Sequence, residues 1–300
     1  MGVLCDEVTE GQMRDYEAFI AAVRFLNMHY SAEGDKNQLI KKINEFETKD
    51  IGVTEDTAAS AADWVRLSIA AENDREMIRY AKQALKLEPE NAKAKLQLIS
   101  QYRNNEEKYL KELNRLQEEY RKKMEKAEAG SKAEKDWAAV TSELARFYFH
   151  SARYRNAEAL YEELLERDPE DSFDNAGTLM GLYALLDEEN RLNEFITKNR
   201  TVKQYLKPLV QSVMYYMRQE NAEARKLLLQ AQEENNVLER AILMLALNLH
   251  ENEGEVNSND ALIADEEMIN VLSELRKIIF LFETSESYPI WAQRQLGYRG

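Results

Sequence analysis

The sequence predicts an all-α protein built from consecutive helical hairpins. Three observations carry this. Asp74–Pro89 and Tyr154–Pro169 repeat one pattern of apolar residues closed by a proline. Only four prolines and ten glycines occur in 300 residues, and no Val/Ile/Thr-rich run alternates as a strand would. Hydrophobic residues make up 44% of the chain, enough for a core distributed between neighbouring hairpins.

In chain order, Arg14–Tyr30 and Lys36–Glu47 read as helices capping the N-terminal end, over residues 1–57. Repeats then fill 58–235. In the first, Trp64, Val65 and Ser68 mark one helix and Met77, Ala81 and Ala84 the next, at steps of three and four that put each set on one face. The offset from 74 to 154 holds two units of about 34 residues each and a dozen residues more. A second unit therefore opens near Ala92, carrying Leu98, Ile99 and Tyr102, and the additional residues lengthen its second helix. The result is an extended hairpin at 92–137 with its turn at Asn104-Asn105, since asparagine tolerates left-handed backbone.

The third unit pairs Leu144, Ala145 and Tyr148 with Ala157, Tyr161 and Leu164. Small residues at Ala145 and Ala157 let the two helices approach closely. In the fourth, Asp171 and Ser172 are candidate caps, Leu179, Met180 and Tyr183 mark the first helix, and Leu192 and Ile196 the second. A fifth pair falls at Val202–Arg218 and Ala222–Glu234, with Pro208 demanding a late start or kink near Leu206. C-terminal capping helices over 236–300 are expected at Leu238–Leu249, Ala264–Phe282 and Ile290–Leu296. An acidic loop lies within them, Glu251–Glu267 holding seven acidic residues and no basic one.

The small, aromatic and proline positions at Leu144, Ala145, Tyr148, Ala157, Tyr161 and Pro169 resemble the tetratricopeptide repeat (TPR) family. Thr141 stands where that family has an aromatic residue, and Leu164 where alanine is typical. Trp64, Val65, Met77, Ala81, Ala84 and Pro89 form a second, more degenerate match, Ser68 replacing the tyrosine. The resemblance implies a right-handed α-α superhelix, a TPR-like solenoid of about 14 helices with irregular ends. It also implies a scaffold for protein–protein interaction.

The net charge of −15 repels nucleic acid and anionic lipid, so neither is an expected partner. Cys5 is the only cysteine, which rules out an internal disulfide and a thiolate zinc site. No apolar stretch approaches the length of a membrane-spanning helix, and the acidic N-terminal sequence lacks the basic start of a secretory signal. A soluble, cytoplasmic protein is expected. His29, His150 and His250 have no metal-spaced neighbour, and no phosphate loop, serine elbow or zincin pattern occurs. The chain is expected to be non-catalytic, without metal or cofactor.

Two surfaces are candidates for contact. The first helices of the hairpins would line a concave groove, where Arg66 and Ile69 in the first unit correspond to Arg146, Phe149 and His150 in the third. Arginine there suits the carboxylate of an extended peptide or partner helix, through two parallel hydrogen bonds; ion pairs between repeats are the structural alternative. The second candidate is the helix Glu106–Glu128, where Tyr109, Leu113, Leu116, Tyr120 and Met124 form a short coiled-coil seam. Packed on its own neighbours, that seam is core; unpacked, it would join a second copy as a homodimer.

Overall fold

The computed structural model describes residues 53–71, 73–128, 130–242 and 266–297. The predicted N-terminal caps and most of the acidic loop lie outside the described residues, as does the greater part of Leu238–Leu249. The described residues form helices and turns with no strand. Among them, the complete helices are α1 (Ala61–Ile69), α2 (Asp74–Leu87), α3 (Ala92–Ser100), α4 (Glu106–Met124), α5 (Lys132–His150), α6 (Tyr154–Arg167), α7 (Ala176–Leu185), α8 (Glu189–Lys198), α9 (Leu206–Met217), α10 (Asn221–Glu234), α11 (Glu266–Arg276), α12 (Ile279–Thr284) and α13 (Ser287–Gln295). Residues 238–242 are helical as well. The chain divides into two compact units, whose described parts are residues 53–175 and 176–297. The division falls inside the predicted repeat stretch 58–235.

In the first unit, polar caps set the helix starts. Ser60 and Asp63 form a reciprocal capping box on α1, and Asn73, Asn91 and Asn105 accept from backbone amides in the first turns of α2, α3 and α4. α2 and α6 have the same length, and both ends shift by the same amount, 74 to 154 and 87 to 167. Ala81 and Ala84 are fully buried in α2, and Val65, Ala84 and Ala94 form a core edged by Trp64. α1 packs on α2, α2 on α3, α4 on α5, and α5 on α6; α3 also packs against both first helices beside it, α1 and α5.

The additional residues are distributed differently from the expectation. α4 is longer than α2, but α5 also has 19 residues where α1 has nine. The extended hairpin is α4–α5 rather than α3–α4: α3 is short and touches α4 only lightly, while α4 runs along α5. The physical reason is apolar matching. Leu113, Leu116, Tyr120 and Met124 meet their complement in α5, whose Trp137, Val140, Leu144 and Ala145 are all buried.

Three of the hairpin turns are copies of one another. Ala152, Asp187 and Gln219 all take left-handed backbone, with φ of 54°, 60° and 65°. Each stands two residues after the last residue of a first helix and two before the second helix. The next amide in each turn, that of Arg153, Glu188 or Glu220, donates back to the carbonyl of Tyr148, Tyr183 or Tyr215 at 2.8, 2.8 and 2.9 Å. This is the six-to-one bond of a Schellman motif, which satisfies helix-end carbonyls. The turns recur at 152, 187 and 219, intervals close to a helical-repeat period of about 34 residues.

In the second unit, α7 packs on α8 and on the next first helix, α9, which pairs with α10. α9 begins at Leu206, so Pro208 falls in its first turn, where the missing amide proton has no intrahelical partner to lose. α7 is buried along most of its length, and its glycines explain how. A Cβ on Gly181 would lie 2.6 Å from Phe280 Cζ, and one on Gly177 would lie 2.8 Å from Lys277 Cδ. The predicted helix Ala264–Phe282 is broken between α11 and α12. The break places Ile278 in full burial and Phe280 against Gly181.

Candidate functional site

The first-helix candidates all belong to the unit 53–175. On α1, Arg66 lies 4.0 Å from Asp63, one turn earlier. Ile69 is 59% exposed, and only it and Leu87 are large apolar side chains left open among the described residues. On α5, exposed Arg146 pairs with Glu143, half-buried Phe149 meets the rings of His150 and Tyr154, and His150 ends the helix. Asp63–Arg66 and Glu143–Arg146 are the same i,i+3 device at equivalent places in the first and third units.

Each arginine thus holds an acid of its own helix. Glu143 joins further partners: the Tyr109 hydroxyl donates to its Oε1 at 2.8 Å, and Arg103 stands 3.7 Å away. Arg103 and Glu143 have no distinguishing signal in the sequence, because their pairing depends on where α4 and α5 meet. The structure does not gather the α1 and α5 residues into one cluster. α3 packs against both helices and links them.

The seam of the long helix is core. Tyr109, Leu113, Leu116, Tyr120 and Met124 are all at most 5% exposed within a single chain. Tyr109 meets Phe147 edge-on, and the Tyr120 hydroxyl donates to the Glu90 carbonyl at 2.6 Å. Within the chain, α5 packs along α4. Beside it, Lys95 and Lys123 both donate to Glu119. Burial raises the Glu119 carboxyl, but the two lysines outweigh it and hold the group at about 2.

On the second-helix side, α4 and α6 leave an open cleft of about 370 Å³. One wall is α4, with Asn114, Gln117 and Arg121; the other is α6, with Arg155, Asn156, Ala159 and Leu160; Leu144 and Tyr148 of α5 make the floor. Its arginines are engaged. Arg121 makes two bonds of 2.7 Å to Glu163, and Arg155 pairs at 2.9 Å with Glu158, which is 3% exposed. Gln117 is 8% exposed, and its Nε2 is buried without an acceptor. Thr141 Oγ1 and Trp137 Nε1, one turn apart on α5, share that condition.

Among the described residues, no group of three or more His, Cys, Asp or Glu is placed to hold a metal ion, and no helix is long and apolar enough to cross a membrane. Compared with protein-family models and with curated proteins, the chain matches none.

Proposed function

We propose that this chain is a non-catalytic scaffold, a TPR-like right-handed solenoid that binds an extended peptide or a partner helix on its first-helix face. The turn repeated at Ala152, Asp187 and Gln219 supports the repeat reading, because identical turns at a regular spacing build like pairs. First-helix packing of α1 on α3, α3 on α5, and separately α7 on α9, supports the stacking. One observation carries the choice of surface: Ile69 stands open beside Arg66, and the same register on α5 offers exposed Arg146 beside Phe149. An apolar anchor next to a guanidinium suits a peptide that brings a carboxylate and one apolar side chain. His150 extends that rim.

The test is affinity purification on the full chain, followed by titration of whatever partner is identified. Arg146→Ala combined with Phe149→Ala is expected to release the partner while helix content and melting temperature stay close to the parent. A partner that binds the double variant with unchanged affinity removes the assignment.

A further inference from the structure

The geometry points to a second binding site on the second-helix side: the cleft between α4 and α6 takes an extended, uncharged peptide segment by its main chain. This site is independent of the first-helix reading, which uses other residues on other faces.

Two ion pairs hold α4 beside α6. At one end Arg153 donates to Glu106 at 2.9 Å, and at the other Arg121 holds Glu163. Glu106 and Arg121 stand on one helix, roughly 22 Å apart along its axis at about 1.5 Å per residue. The pairing order, 106 with 153 and 121 with 163, makes α4 and α6 parallel walls clipped together at both ends. The lining of the cleft on α4 runs from Asn114 to Arg121, roughly 10 Å along the axis, room for about three extended residues at roughly 3.3 Å each.

The lining chooses the ligand class. Asn114 and Gln117 on one wall and Asn156 on the other are side-chain amides, with the donor and acceptor chemistry of a peptide bond; the Asn114 NH2 already donates one hydrogen to the Leu110 carbonyl at 2.9 Å and keeps its second. The lining arginines already hold carboxylates, so no unneutralised cation calls for an anion. The Tyr148 hydroxyl reaches Asn114 Oδ1 only at 3.5 Å, a contact loose enough to be exchanged. Gln117 supplies the independent sign: a nine-tenths buried amide whose nitrogen meets no acceptor, in a residue that lines the cleft. Its terminal torsion is soft, so the amide can turn toward a carbonyl laid in the cleft. A partner helix is a poorer occupant. Its backbone is already satisfied and would leave the amides without partners.

The test uses the full chain, labelled with 15N, and a blocked hexapeptide of alternating alanine and valine, acetylated and amidated at its ends. A copy N-methylated at alternate residues carries nearly the same side chains but lacks half the main-chain donors. The blocked peptide is expected to shift the side-chain NH2 signals of Gln117, Asn114 and Asn156 in a saturable way, and the N-methylated copy to bind at least fivefold more weakly. Asn156→Leu, on the exposed wall, is expected to weaken the first peptide at least fivefold with the amide spectrum of the rest of the chain intact. Equal binding of the two peptides overturns main-chain recognition. The absence of shifts at these three residues at millimolar peptide, or shifts confined to Arg66, Ile69 and Arg146, overturns the site.

Discussion

Ala152 holds a backbone that an L-residue with a Cβ adopts at a cost of roughly 1–2 kcal/mol. It is tolerated because the turn satisfies the end of α5 through the Arg153 amide. Glycine meets no such steric penalty, although it loses more entropy on folding. Ala152→Gly is therefore expected to raise the stability of the full chain by about 0.5–1 kcal/mol in denaturant titration, the reverse of an ordinary alanine-to-glycine change in a helix. A loss of stability at this position would mean that the turn is not left-handed. None of this is legible in the residue types. Ala152, Asp187 and Gln219 share no side-chain chemistry, and only the spacing to Tyr148, Tyr183 and Tyr215 marks them as equivalent. Thr141 shows the converse. The sequence marks it as a departure from its repeat, and the structure finds its hydroxyl buried without a partner.

At the scale of elements, helix faces are readable in the sequence and helix partners are not. Steps of three and four locate Leu144, Ala145, Ala157, Tyr161 and Leu164, all of them at most 4% exposed. The same steps find the seam Tyr109–Met124, but periodicity cannot say whether a partner helix comes from the same chain. Burial against α5 answers that. The glycines of α7 make a sharper case, because Gly177 and Gly181 have meaning only once residues 277–280 lie against them. Gly181→Ala gains about 1 kcal/mol of helix propensity but drives a methyl into Phe280, and overpacking costs roughly 1–3 kcal/mol. The expected net effect is a lowered melting temperature, recovered in part by adding Phe280→Leu. A raised melting temperature for Gly181→Ala alone would show that the 277–280 segment does not pack there.

At the scale of the whole molecule, the net charge is −15, and the apolar seam of α4 is buried inside the chain. Among the described residues, α1 and α5 carry exposed guanidinium groups beside apolar ones, and an amide-lined cleft lies between second helices. The arginine register is visible in the sequence, as the common offset of the two proline-closed patterns. The cleft is not, since its walls are second helices whose separation depends on α5 filling the space between them. The first-helix face depends on first helices stacking side by side, α1 on α3 and α3 on α5. The most direct measurement is a pulsed-dipolar distance between spin labels at Arg66→Cys and Arg146→Cys, with Cys5→Ser to remove the native thiol. Two helix-to-helix steps of about 8–10 Å predict one narrow population with backbones about 16–20 Å apart, before the label arms are added. A broad distribution, or one centred beyond about twice that separation, would contradict the stacking and the binding face built on it.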